Sequence, residues 1–372
     1  MELSTRFFIP TDVRWCDWQE VRTLLPPRPQ TVLIAATMSS LATATELKNS
    51  YLAGHEVKLL PVVSPDPSIA SVQKITDEVM ADVPDWIIAI GGGSVLDTAK
   101  AAAAITTNGG DVARHVRGTA DTEQPGIPLI AIPTTSGSGS EVTPYASITD
   151  SHESRKISLS HDYLFPRFAL LDPSLTLSLP PLQTAISGMD ALSHSIEGYW
   201  SNRATPVTDA LAISAAKLLL DQLSNAQRNP QDLTARRLTM EGSMLAGLTI
   251  SNARTTAVHA ASYPMTVYYG IPHGLACALL LPPFIRFNSG AMAPQKERRL
   301  LDALGAVSMC DLADSVERLQ AKLDLPAKLG DVGIGTDEIS QIVANGFRPD
   351  RMANNPRQVT AEDLTMLLEA IL

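Results

Sequence analysis

WIIAIGGGSVLDTAKAAAA (86–104) decides the fold. Its first five residues are an unbroken apolar run, its next three are glycines, and an Ala-rich helical stretch follows. That is a strand, a tight turn and a helix, one half of a βαβ unit. Gly91, Gly92 and Gly93 let the main chain turn sharply and approach a ligand closely, since no Cβ intervenes. Ser94 is the expected N-cap, so the first helical N–H groups face the turn and form an anion site at the positive helix end. A glycine-rich turn with no ligand is the competing reading, because GGGS is not a GxGxxG fingerprint.

Working outward, the same alternation repeats. TVLIAA (31–36), HEVKLLPVV (55–63), PLIAIP (128–133) and FALLDP (168–173) read as further strands. Helical stretches at 42–51 and 68–81 separate the first of them, which predicts a parallel sheet. PTTSGSGSEVTP (133–144) follows the fourth strand and places Thr134, Thr135 and Ser138 at the edge where open α/β sheets bind ligands. After SLPP (178–181) the pattern changes to helices at 182–200, 205–224, 231–251, 255–267, 273–288, 295–305, 310–324, 336–346 and 361–371. The expected organisation is a Rossmann-like dinucleotide-binding α/β domain at 1–180 and an all-helical metal-binding domain at 181–372.

Composition narrows the function. Among 372 residues, 29 are Lys or Arg and 39 Asp or Glu, a net charge of −10. Nucleic acid or an anionic membrane would call for a basic excess, so neither is an expected partner. The three cysteines, Cys16, Cys277 and Cys310, form no CxxC pair, and MELSTRFFIPTDVRW lacks the basic and apolar regions of a signal peptide. A cytoplasmic location is expected, and a homodimer is admissible.

The helical half carries the metal chemistry. In SGMDALSHSIEGYW, Asp190 and His194 stand four apart on one helical face, so an oxygen and an imidazole nitrogen can reach one cation. His259 lies in TTAVHAASYP, also read as helical, and His273 at the helix start of GIPHGLACALL. One carboxylate and three imidazoles suit Fe(II) or Zn(II) rather than Mg(II) or Ca(II). His55, His115, His152 and His161 fall in loops or at strand ends and read as solvated or capping residues.

GGGSVLDTAK (91–100), PTTSGSGSE (133–141), LLDPSLTLSLP (170–180), DALSH (190–194), His259 and PHG (272–274) together resemble the iron-containing (group III) alcohol dehydrogenase family over nearly the whole chain. The resemblance implies the dehydroquinate synthase-like fold of that family, with a cleft between its domains. It places Asp190, His194, His259 and His273 on the metal-ligand positions. Gly92, Gly93, Ser94, Thr134, Thr135 and Ser138 fall on the dinucleotide-phosphate loops, and Asp97 on the catalytic residue facing the nicotinamide. Two positions depart from the pattern. Thr37, in ATMSS (36–40), stands where NAD-using members carry an Asp for the ribose 2′-OH, which makes NADPH as admissible as NADH. Tyr263 replaces a His that relays protons in many members, so Tyr263, water or a ribose hydroxyl takes that role.

ISNARTTAVHAASYPMTVYYGIPHGLACAL (250–279) is most similar to the phosphonoacetaldehyde reductase branch, which implies Arg254, Ser262 and Lys156 as substrate-binding residues. Arg254, five residues before His259 and expected on the same helix, is the cationic fork for the phosphonate. The expected reaction is metal-dependent, NAD(P)H-linked reduction of phosphonoacetaldehyde to 2-hydroxyethylphosphonate. The alternatives are a general short-chain alcohol or diol dehydrogenase, a metal-dependent lyase or cyclase of the dehydroquinate synthase type, and a non-catalytic dinucleotide sensor with a closed structural metal.

Overall fold

The computed structural model describes residues 6–62, 66–347 and 349–372. MELST (1–5), and Val63 of the expected second strand, lie outside the described residues. The chain forms two compact units. One comprises Ile9–Thr135 with Ser140–Thr176; the other comprises Leu177–Leu372, the described residues up to Phe8, and Ser136–Gly139.

The first unit holds β1 (Asp12–Trp15), β2 (Thr31–Ala36), β3 (Glu56–Pro61), β4 (Trp86–Gly91), β5 (Leu129–Pro133), β6 (Tyr145–Asp150), β7 (Arg155–Ser160) and β8 (Phe168–Leu171). Six of these make an all-parallel sheet in the order β1-β8-β5-β4-β2-β3. The apolar runs are continuous because both faces of the sheet are covered. Val32, Ile34, Ile88, Ile90, Ile130 and Ile132 enter one core, while Leu33, Ala35, Ile87, Ala89, Leu129 and Ala131 enter the other. Each fully buried aliphatic side chain contributes roughly 1.5–3 kcal/mol, and the pleat assigns alternate residues to the two cores.

The helices of this unit are α1 (Leu41–Glu46), α2 (Ile69–Ala81), α3 (Gly93–Thr106) and α4 (Val112–Val116). The α1 helix runs into a wider π turn at Leu47–Tyr51. Ser68 caps α2 by accepting from Ser71 N–H, as its position before the apolar pattern requires. Gly92, not Ser94, is the N-cap of α3, so the expected cap is corrected by two residues. The β1 edge strand and the β6–β7 hairpin, paired from Tyr145–Ser160 to Asp150–Arg155, carry polar alternation that the reading for apolar runs passes over.

The second unit contains α5 (Pro181–Trp200), α6 (Pro206–Arg228), α7 (Leu233–Ala253), α8 (Ala257–Tyr269), α9 (His273–Phe287), α10 (Pro294–Leu304), α11 (Met309–Lys322), α12 (Thr336–Gly346), α13 (Pro349–Met352) and α14 (Ala361–Glu369). Helix α5 lies at its centre, buried from Thr184 through Trp200. The expected continuity of Arg254 with the helix of His259 does not hold. Helix α7 ends at Ala253, Arg254 takes a left-handed φ of 61°, and α8 begins only at Ala257.

Candidate functional site

The sheet changes direction at β2. The chain leaves β2 for β3 on one side, then crosses back to place β4 on the other. Beyond the carboxyl ends of β2 and β4 lies the crevice in which open α/β sheets bind ligands. Thr37 follows β2 directly, with its Oγ1 at 2.9 Å from both Ser39 Oγ and Ser40 Oγ. The glycine turn follows β4, and Thr134 N–H donates to Gly91 O at 3.0 Å, tying the turn to the loop after β5. A Cβ on Gly92 would stand 3.2 Å from Thr135 Cγ2. The turn therefore offers bare main chain and the positive end of α3 in one place, which fits a dinucleotide pyrophosphate.

Asp97 is held on three sides. Its Oδ1 accepts from Ser140 Oγ at 2.5 Å and lies 3.2 Å from Lys100 Nζ, while its Oδ2 accepts from Ser147 N–H at 2.8 Å. Lys100 is fully buried, and its ammonium also donates to Ser140 O at 2.9 Å and to Thr143 and Tyr145. Burial lowers the Lys100 pKa, against the pull of Asp97. These contacts fix the strand following the polar loop to α3. Lys156 is buried in the hairpin with its Nζ 3.2 Å from Asp66, away from the helical unit's cluster of Asp190 and the three histidines by chain position. Ser138 belongs to the short segment Ser136–Gly139 that clusters with the helical unit, whereas Thr134 and Thr135 stay with the sheet.

The helical unit brings Asp190, His194, His259 and His273 together. Asp190 Oδ1 is 3.8 Å from His194 Nε2, 3.4 Å from His259 Nε2 and 3.8 Å from His273 Nε2. Helix α5 presents the first two one turn apart, α8 supplies His259 in its first turn, and His273 opens α9. The rings of His194 and His259 stack at 4.5 Å, and that of His259 meets His273 edge-on at 5.2 Å. Asp190 Oδ1 and His259 Nε2 are buried without a hydrogen-bond partner among the described residues. Buried polar atoms without partners are costly, and three imidazole nitrogens turned on one carboxylate oxygen are the donor set of a divalent transition metal. The residues fit such an ion.

Further groups complete the centre. Glu197, one turn beyond His194, is fully buried, and its Oε2 accepts from His259 Nδ1. Its Oε1 accepts from Thr256 N–H at 2.9 Å, Thr256 Oγ1 at 2.7 Å and Val258 N–H at 3.1 Å, so one carboxylate both caps α8 and orients the ligand ring. Cys277, one turn after His273, has its Sγ within 4.8 Å of the donor atoms of Asp190, His259 and His273. Ser262 is fully buried; its Oγ donates to His259 O at 2.9 Å and lies 3.3 Å from His273 Nδ1. It packs against the His273 ring, so any contact it makes with substrate lies beside that imidazole.

Charge in the centre is arranged for a cation. Burial raises the pKa of Asp190, but His194, His259 and His273 outweigh it and hold the carboxyl far below the usual range. Burial pushes His194 down to about 4, leaving it neutral and able to ligate at neutral pH. Burial also opposes charge on His259, but Cys277 and Glu197 beside it outweigh that and raise its pKa above the ordinary value.

The ring of Tyr263 lies 5.4 Å from that of His273. The guanidinium carbon of Arg351 stands 4.8 Å from the Tyr263 ring, and Arg351 Nη1 donates to Thr255 Oγ1 at 2.7 Å. Arg254, the expected phosphonate fork, is exposed at the α7–α8 break. Sequence reading missed Glu197, Cys277 and Arg351. The first two carried a signal, an acid and a thiol in apolar helices at i+3 and i+4 from a ligand; Arg351, remote in sequence, carried none.

The crevice suits a dinucleotide, and the cluster in the helical unit suits a divalent metal. The profile described as "Iron-containing alcohol dehydrogenase" matches residues 15–173, and "Fe-containing alcohol dehydrogenase family, C-terminal" matches 184–372. The sulfoacetaldehyde reductase of Bilophila wadsworthia (strain 3_1_6) is 35% identical over 328 residues, covering 85% of this chain and 84% of its own. Lactaldehyde reductase of Escherichia coli (strain K12) is 33% identical over 315 residues, covering 82% and 81%. The crystal structure of sulfoacetaldehyde reductase from Bifidobacterium kashiwanohense in complex with NAD+ superposes with a TM-score of 0.92 at 30% identity, over 99% of both chains. The chain belongs to the iron-containing alcohol dehydrogenase family, oxidoreductases that interconvert alcohols and aldehydes with NAD(H). No helix among the described residues is long and apolar enough to cross a membrane.

Proposed function

We propose that the chain reduces a two-carbon aldehyde bearing an anionic terminus, phosphonoacetaldehyde first, to the primary alcohol, using Fe(II) or Zn(II) and NADH or NADPH. The observation that carries the reading is the convergence of His194, His259 and His273 Nε2 on Asp190 Oδ1, with two of the donor atoms buried and without partners. When bound, the cation supplies a Lewis acid for the carbonyl oxygen and the dihydronicotinamide supplies the hydride.

The chain's own residues do the rest. Glu197 holds His259 in the tautomer that turns Nε2 toward Asp190. Ser262 steadies the His273 ring. Tyr263, whose ring lies 5.4 Å from that of His273, is the proton donor in this reading. Asp97, bonded to Ser140 Oγ and Ser147 N–H, positions the polar loop in this reading. Sulfoacetaldehyde is the second reading, favoured by the similarity to two sulfoacetaldehyde reductases.

The test is a panel of phosphonoacetaldehyde, sulfoacetaldehyde, lactaldehyde and propanal assayed with NADH and NADPH on the metal-loaded protein. The proposal expects the highest kcat/KM for the phosphonate or the sulfonate. Equal turnover of all four aldehydes would return the chain to general alcohol dehydrogenases.

A further inference from the structure

We infer that Arg351, not Arg254, is the receptor for the substrate's anionic end, and that the Arg351–Thr255–Tyr263 cluster forms an anion subsite of this enzyme. The inference rests on the aldehyde reductase reading above and adds the residue that sets its substrate class.

Thr255 and Tyr263 lie four residues before and four after the ligand His259, and Arg351 touches both. One aromatic ring, that of Tyr263, separates the guanidinium from the ligand His273. The separations of 4.8 Å and 5.4 Å together bound the distance from the guanidinium to the His273 ring, a span that a carbonyl at the metal, a two-carbon chain and an anion contact can fill.

The placement is built rather than incidental. Asn354, three residues on, donates from Nδ2 to Ala253 O at 3.1 Å and to Thr255 O at 3.0 Å, and accepts at Oδ1 from Ser201 Oγ at 3.0 Å. Asn202 N–H donates to Asn354 O at 2.9 Å. The segment bearing Arg351 is thereby anchored to the same α7–α8 junction that Glu197 anchors to α5. The junction's geometry fixes both the metal ligand and the guanidinium.

The electrostatics agree. Arg351 is half-buried and pairs with no carboxylate among the described residues, while its one side-chain hydrogen bond there goes to a neutral hydroxyl. A guanidinium has five N–H donors in a planar fork, so most remain for phosphonate or sulfonate oxygens. Stacking on Tyr263 keeps the fork oriented before a ligand arrives.

The experiment compares wild type, Arg351→Gln, Arg351→Lys and Arg254→Gln as metal-loaded holoenzymes. It measures kcat/KM for phosphonoacetaldehyde, sulfoacetaldehyde and propanal, and inhibition of propanal reduction by ethylphosphonate and ethanesulfonate. Arg351→Gln should lower the anionic-to-neutral ratio of kcat/KM on the order of 30- to 1,000-fold, mainly through KM, and weaken inhibition by the anion it had bound in parallel. Arg351→Lys should fall between, since it keeps the charge and loses the fork. Arg254→Gln should change the ratio less than about threefold, the effect of a screened surface charge.

An unchanged ratio in both Arg351 variants, equal losses on charged and neutral aldehydes, or a loss confined to Arg254→Gln would overturn the inference. A wild type that reduces aldehydes without favouring either anion would overturn it too. A wild type that reduces no aldehyde would instead overturn the proposed function.

Discussion

Glu197 and His259 are joined by a buried hydrogen bond from the imidazole Nδ1 to the carboxylate, leaving Nε2 of the same ring 3.4 Å from Asp190 Oδ1. A carboxylate behind a metal-ligating histidine fixes its tautomer and raises its basicity. Glu197→Gln keeps the shape and removes the charge. Metal affinity, measured by competition with a chelator, should fall about 10- to 100-fold. Because Glu197 Oε1 also caps α8, stability of the metal-free protein should fall by about 1–3 kcal/mol in denaturant unfolding. Wild-type affinity in this variant would show that Glu197 serves only as a cap.

Gly274 explains the PHG motif sterically. A Cβ there would stand 2.2 Å from Ile186 O and 3.1 Å from Asp190 Cβ, and the main-chain oxygen cannot swing aside. Gly274→Ala should push α9 from α5 at the point where each carries a ligand. The expected cost is about 1–3 kcal/mol in thermal unfolding, together with a metal affinity at least about tenfold weaker. Unaltered metal binding would mean that the two helices accommodate the methyl group without moving Asp190 or His273.

His194→Ala and His259→Ala should each lose bound metal and nearly all turnover while the sheet unit stays folded, because its cores contain none of these residues. Metal analysis and NADH binding by fluorescence check the two halves of this statement. Full metal occupancy in either variant would remove that histidine from the ligand set.

Thr37→Asp should shift preference toward NADH. Thr37 stands at the end of β2 by the topological switch, where a carboxylate accepts the ribose 2′-OH and repels a 2′-phosphate. The readout is the ratio of kcat/KM for NADH to that for NADPH. An unchanged ratio would place the adenosine ribose elsewhere.

The central strands and the Asp190–His194 pair were legible because each is a local pattern. TVLIAA and WIIAI are apolar runs that only a doubly covered sheet accommodates, and Asp190 and His194 share a face by spacing alone. The hairpin at 145–160 was not legible, since its strands alternate polar and apolar residues and lie outside the βα rhythm. Arg254 misled for a related reason. Counting five residues from His259 put Arg254 on its helix, but Glu197, distant in sequence, captures the Thr256, Val258 and His259 amides and starts the helix after Arg254. Arg351 reaches the site through Asn354, a tertiary contact that no window of sequence contains.

In the proposed function, aldehyde reduction depends on an ion held by Asp190, His194, His259 and His273. The direct measurement strips the wild-type protein with a chelator, verifies metal loss by elemental analysis, and follows aldehyde-dependent oxidation of the nicotinamide before and after Fe(II) or Zn(II) is returned. Turnover should vanish with the metal and return at about one ion per chain. Undiminished turnover in the metal-free protein would contradict the proposed function.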